Sequence, residues 1–245
     1  MKSILSSLVA EQQLLDQYLQ AIPIREWDKP TNFKSMTITD QVSYLAGSED
    51  LALNAIKKKG TFFSDYKGPN GLNKFAKVQS EKGQKMRPQD VIEWWRLSRA
   101  KIIEVIADAS PTRKINWWKN EWDMKTFVSW KLSETCAHGL DIYAASNGEY
   151  TDTVRLEHIS SFGWSQVEKT SKINKIKHKD LRVEVIGPEY KVWHFGPDKS
   201  ENIIKGDAGD WCRLTVGRIS ANKKLSLTAD GAFAEKYLKF KHPLI

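Results

Sequence analysis

Apolar positions recur with helical period along the first two thirds of the chain. Ile4, Leu5, Leu8, Val9, Leu14, Leu15, Tyr18, Leu19 and Ile22 fall on one broad face, and Pro23 and Pro30 close off any continuation. A second helix is predicted from near Thr37, where Thr37 and Asp40 have the spacing of an N-terminal cap. Ile38, Val42, Leu45, Ala52, Leu53 and Ile56 form its stripe. A third opens around Pro88, a residue suited to a first turn, and runs to about Ala109. A fourth runs from about Met124 to Ser146, ending before Gly148, and a fifth from about Thr153 to Thr170. Residues 59–87 hold Gly60, Gly68, Pro69, Gly71, Gly83 and many lysines. They read as a long connection with a short helix near Leu72 to Val78, either a lid or a solvated excursion.

The texture then changes. Leu181 to Ile186 alternates with period two, as a half-buried strand does, and Gly187-Pro188 turns the chain into a second strand over Tyr190 to Phe195. Asn202 to Ile204 and Leu225 to Thr228 are further short strands. Ala208 to Val216 and Ala232 to Phe240 are helical. The fold class is therefore α+β. A helical bundle with an extra helix occupies residues 1–172, and a small α+β domain occupies 173–245.

Composition narrows the function classes. No run of about 18 apolar residues is present, so no membrane span is expected. The apolar residues from Ile4 to Ala10 are interrupted by Ser6 and Ser7 and lead straight into Glu11-Gln12-Gln13, which reads as a first helix rather than a leader; the expected location is cytoplasmic. Cys136 and Cys212 lie far apart with no CxxC motif, which argues against a zinc ribbon or a thioredoxin-type site. They are two free thiols, fitting a reducing compartment, or one disulfide. The net charge of +8 reads first as that of a soluble protein from a lysine-rich proteome, and more sharply as attraction to anions such as small carboxylates or nucleic acid; the lysines are dispersed, apart from clusters at Lys57-Lys58-Lys59 and across Lys169 to Lys179, and neither cluster carries a nucleic-acid motif. The ten tryptophans supply buried area or line a pocket, and their number does not decide which.

The chemistry concentrates on the fourth helix, in Glu134-Thr-Cys-Ala-His138-Gly-Leu-Asp141. At about 100° per residue, Glu134, His138 and Asp141 share a narrow sector of a helix that is apolar on its other sides too. Ionisable groups on such a helix need a partner or a metal. A carboxylate and an imidazole one turn apart can reach one ion, and catalytic zinc takes three protein ligands with one position open. Asp141 then orients a ligand from behind. The alternative from the same spacing is a buried hydrogen-bonded network of Glu134, His138 and Asp141 with Lys131 or an arginine.

The order of segments adds a resemblance. Trp27-Asp-Lys-Pro-Thr31, then Met36-Thr-Ile-Thr-Asp-Gln-Val-Ser-Tyr-Leu45, then Ser133-Glu-Thr-Cys-Ala-His-Gly-Leu-Asp-Ile142 resembles the mycothiol-dependent maleylpyruvate isomerase branch of the DinB-like superfamily. The C-terminal segments Val183-Glu-Val-Ile-Gly-Pro188, Val192-Trp-His-Phe-Gly-Pro197 and Gly206-Asp-Ala-Gly-Asp-Trp-Cys-Arg213 are similar to the small domain of a branch known by the name wyosine base formation. The resemblance implies a DinB-like four-helix bundle carrying a divalent metal, zinc first among them, and a low-molecular-weight thiol such as mycothiol as cofactor. Its ligand set is a histidine of the second helix with the Glu and His of the fourth. These map onto Tyr44, Glu134 and His138. The tyrosine is a departure, because a phenol must lose a proton near pH 10 to ligate.

Three outcomes follow: Tyr44 ligates another metal, another group completes the site, or the site holds no metal. The resemblance also implies that a C-terminal arginine holds the substrate carboxylate, and Arg218 is the candidate. The readings are thus a metal- and thiol-dependent isomerase or transferase acting on a small carboxylate or electrophile, or a degenerate bundle that binds a small molecule or partner without catalysis. A third takes the wyosine name literally and invokes tRNA.

Overall fold

The computed structural model describes every residue except 34, 59–64, 67, 119, 220–223 and 243–245. By contacts the chain divides into two compact units, Met1–Tyr150 and Thr151–Ile245. Residues 151–172, which the change of texture groups with the first domain, cluster with the second unit.

The first unit is built on four long helices: α1 (Lys2–Ala21), α2 (Ile38–Lys58), α4 (Pro88–Ala107) and α5 (Met124–Ala145). Each packs on two others, in the circular order α1, α4, α2, α5. The ends follow local chemistry. Thr37 N–H donates to Asp40 Oδ2 (2.9 Å) while Asp40 N–H donates to Thr37 Oγ1 (3.2 Å), a reciprocal cap for α2. Pro88 opens α4, and Asp123 caps α5 by accepting from Thr126 N–H (2.7 Å). The core between the helices is apolar: Leu15, Leu19, Ile38, Val42, Leu45, Val91, Trp95 and Ile142 are all buried.

The connection after α2 is more ordered than its glycines and lysines suggest. Its described part holds α3 (Gly71–Gly83), a 13-residue helix against α2. Of the lysine cluster 57–59, Lys59 lies outside the described residues. Gly83 permits the close approach: a Cβ there would sit 1.7 Å from Ser43 Oγ. A hairpin absent from the sequence-based reading, β1 (Lys114–Trp117) with β2 (Asn120–Asp123), leads into α5. Its Trp117 joins Phe127 and Trp130 in an aromatic cluster, so these tryptophans supply buried area.

In the second unit the expected fifth helix is two, α6 (Leu156–Ser165) and α7 (Val167–Ile173). The four strands β3 (Arg182–Ile186), β4 (Val192–Phe195), β5 (Ile203–Asp207) and β6 (Leu227–Asp230) form one sheet in the order β4-β3-β5-β6. β3 and β5 run parallel, and the outer pairs are antiparallel. Helix α8 (Ala208–Thr215) follows β5 directly, capped by Asp207, and packs on α6; α9 (Ala232–Tyr237) follows β6. Val183, Val185, Ile204, Trp211 and Leu214 fill the interior. Among the described residues no helix is long and apolar enough to cross a membrane. Both cysteines are free and buried.

Candidate functional site

Helices α2 and α5 lie side by side, and α5 buries sixteen of its 22 residues. The fold brings Tyr44, Glu134 and His138 together here, and all three are buried. The side chains meet as two rungs one helical turn apart. On one, the Tyr44 ring lies against the His138 imidazole, centroids 4.7 Å apart at 30°, and Phe75 of α3 meets the tyrosine edge-on at 5.5 Å. Gln41 of α2 fixes the histidine. Its amide oxygen accepts from His138 Nδ1, and its amide nitrogen donates to Thr31 Oγ1 (2.8 Å). An amide oxygen only accepts, so Nδ1 carries the proton in this arrangement.

On the other rung, Ser48 Oγ lies 3.0 and 2.9 Å from the two oxygens of Glu134, to which its hydroxyl donates. The decisive neighbour is Lys131, three residues before Glu134 on the same helix. Its ammonium lies 2.6 Å from Glu134 Oε2, 3.2 Å from Glu49 Oε2 and 3.1 Å from Ser48 Oγ. All three charged side chains are 0% exposed. Gln12 of α1 completes the set by donating to Glu49 Oε1 (3.0 Å).

The electrostatics follow from burial and from the count of charges. Burial raises Glu134 above the ordinary carboxylate range, although Lys131 and Ser48 pull the other way. Burial, with Glu134 nearby, pushes Glu49 up to about 7 against the pull of Lys131. Burial alone would lower Lys131, but Glu134 and Glu49 outweigh it and hold the ammonium above its ordinary value. The cluster therefore holds its protons tightly.

A divalent ion does not fit these residues as they stand. Glu134 is engaged by a cation already, Tyr44 offers a phenol whose ring lies tilted against the His138 imidazole, and among the described residues no group of three or more His, Cys, Asp or Glu could hold a metal ion. Asp141 is buried on the same helix. Arg218 lies in the second unit, just past α8, where its Nη1 donates to the Val216 carbonyl (3.1 Å).

Sequence reasoning named Lys131 as a possible partner of Glu134 but missed Ser48, Glu49, Gln41 and Gln12. Gln41, Tyr44 and Ser48 do recur at three and four along α2, but that helix is buried from Ile38 to Glu49, so the spacing alone does not single them out.

A second polar cluster ties α1 to α4. Asp16 accepts from Arg96 Nε (2.9 Å) and Nη2 (2.6 Å) and from Arg99. Burial would raise the Asp16 carboxyl, but the two guanidinium groups hold it below its usual value. Asp50 of α2 links to α4 by accepting from Trp94 Nε1 (2.8 Å) and Ser98 Oγ (2.7 Å).

Comparison with known proteins places the chain. Two uncharacterized proteins of Mycobacterium tuberculosis, MT0041 and Rv0036c, are each 26% identical to it over 239 residues, covering 95% of this chain and 91% of the relative. The crystal structure of a mycothiol-dependent maleylpyruvate isomerase matches with a TM-score of 0.64 at 14% identity, over 93% of this chain and 92% of that one. A mutant of an isomerase so named matches with the same TM-score at 13% identity. At such identities the likeness speaks for the fold, which extends over both units. The family model described as the mycothiol maleylpyruvate isomerase N-terminal domain matches residues 8–143, and to that family the chain belongs.

Proposed function

We propose that this chain is a metal-independent member of its family. It binds a small molecule, either a low-molecular-weight thiol or the conjugate of such a thiol with a small electrophile, without metal-activated thiol chemistry. The observation that carries this reading is the 2.6 Å contact between Lys131 Nζ and Glu134 Oε2 inside the bundle. A metal-dependent isomerase needs Glu134 as a ligand anion, and here that anion has an internal counter-ion. The solved relatives are mycothiol-dependent, which points to a thiol, and the net charge of +8 favours an anionic ligand.

The test is elemental analysis of protein purified without chelator, with calorimetric titration of low-molecular-weight thiols with and without chelator. No stoichiometric metal and chelator-insensitive binding are expected. A stoichiometric metal that disappears in Glu134→Ala or His138→Ala, with thiol-dependent isomerisation of a small carboxylate, would restore the metal-dependent reading.

A further inference from the structure

Among the described residues, Lys131 is the only lysine or arginine that is buried. An ammonium has three N–H donors and no acceptor. Each donor of Lys131 has one oxygen in reach: Glu134 Oε2 at 2.6 Å, Ser48 Oγ at 3.1 Å and Glu49 Oε2 at 3.2 Å. The three oxygens come from two facing helices and surround one point of positive charge. This is the arrangement of a small cation site, with nitrogen at its centre. The ammonium donates to Glu134 and Ser48 and forms an ion pair with Glu49, whose Oε2 accepts no hydrogen bond, and a second cation beside it would meet repulsion in a medium that screens little.

We propose that Lys131 is the resident cation of this bundle, taking the charge-neutralising part that a divalent ion plays in a metal-bearing bundle, and that its removal unmasks a divalent-cation site. The inference rests on the metal-independent reading above. Its physical basis is charge and donor type. With Lys131 present, two carboxylates face one positive charge. Without its side chain, the same carboxylates and the Ser48 hydroxyl face the space left by the lysine head group, and a doubly charged ion would balance them. Oxygen donors suit manganese and magnesium, and cobalt(II) serves as a spectroscopic probe of the same oxygens.

The experiment uses the full chain, as wild type and as Lys131→Ala, purified without chelator. Thermal midpoints are measured in chelator and with cobalt(II) or manganese(II) chloride, and visible spectra are recorded with cobalt. The wild type should show no midpoint change and no protein-bound cobalt band. Lys131→Ala in chelator should melt about 10 °C lower, as stranding a buried carboxylate pair implies. The ion should recover most of that loss and give a cobalt band, and adding Glu134→Gln should abolish both.

Should Lys131→Ala not accumulate, the pair Lys131→Met and Lys131→Met/Glu134→Gln decides. Charge balance requires the double variant to be the more stable, and the reverse order overturns the proposal. A Lys131→Ala protein blind to both ions also overturns it while leaving the metal-independent reading intact. Stoichiometric cobalt uptake by the wild type, with Lys131 in place, sinks both.

Discussion

Glu49→Gln should stabilise this protein above neutral pH and do little below pH 5. Glu49, Glu134 and Lys131 are all fully buried, and two carboxylates share one ammonium. Burial, with Glu134 adding to it, moves Glu49 from the ordinary 4.5 to about 7, while Lys131 and, more weakly, Arg99 pull it back. The folded state therefore keeps a proton that the unfolded chain releases between these two values. A carboxyl raised in this way costs stability as pH climbs from 4.5 to about 7, and the loss levels off above that. At about 1.4 kcal/mol for each pH unit, the full penalty is about 3 kcal/mol.

Glutamine resembles the protonated acid and carries no penalty. It can keep its oxygen toward Lys131 and turn its NH2 toward Gln12, whose Oε1 has no hydrogen-bond partner and can accept after the amide rotates. Urea denaturation at pH 5, 6, 7 and 8 reads the result. Glu49→Gln should exceed wild type by about 3 kcal/mol at pH 8, shrinking to under about 1 kcal/mol at pH 5. A difference that is negative and the same at every pH would refute the reasoning. It would mean that Glu49 stays ionised as a full partner of Lys131.

Other substitutions test other parts of the fold. Asp16→Ala strands Arg96 and Arg99; because the Arg96 side chain is 36% exposed, the loss should be about 2–4 kcal/mol, below that of a fully buried pair, and is measurable in urea at neutral pH. Gly83→Ala drives a methyl into Ser43 and should cost about 1–3 kcal/mol, and Gly83→Ala/Ser43→Ala should recover only part of it, because the Ser43 Cβ itself would lie 2.7 Å from the new methyl. Asp207→Ala removes the oxygen that accepts from Asp210 N–H at the start of α8 and should lower stability by about 1 kcal/mol. Arg218→Ala tests the expected hold on a ligand carboxylate. Calorimetry should show weaker binding of the carboxylate-bearing conjugate with binding of the bare thiol unchanged, and equal loss for both would remove Arg218 from that role.

What was legible in the sequence follows from how one-sided each element is. Helices α1 and α4 have an apolar stripe and an exposed face, so period and the bounding prolines locate them within a residue or two. The strand β3, with alternating burial, reads as readily. Helix α3 was read short because its lysines obscure a narrow stripe, of which Phe75 and Gln79 are buried. The β1–β2 hairpin escaped because its strands have four residues each, too few for alternation to register. The site was half legible. Glu134 and His138 stand out as ionisable groups on a greasy helix. Helix α2 is buried from Ile38 to Glu49 without interruption, so no stripe separates its polar residues from its apolar ones. Periodicity cannot say which of them faces α5, and Ser48 and Glu49 emerge only once the helices are set side by side.

The two departures at the site account for one another physically. With tyrosine at position 44, α2 offers no imidazole, and a divalent ion would have to bind through Glu134 and His138 with a phenol that resists ionisation. An aromatic ring is instead well used by packing between His138 and Phe75. That arrangement leaves the Glu134 carboxylate buried in the bundle, and a buried carboxylate must be neutralised or lose its charge. Lys131 meets the requirement at the least conformational cost, since residues three apart on one helix already face the same way. Ser48, one turn along α2 from Tyr44, spans the gap by accepting from the ammonium and donating to the carboxylate. It follows that the presence of Glu134 and His138 in the expected spacing is no evidence of metal in this chain, because each has another partner. Among proteins with this helix motif, the residue three before the glutamate is the one to read first. A lysine there, with a non-histidine on the facing helix, predicts a bundle closed by its own ammonium.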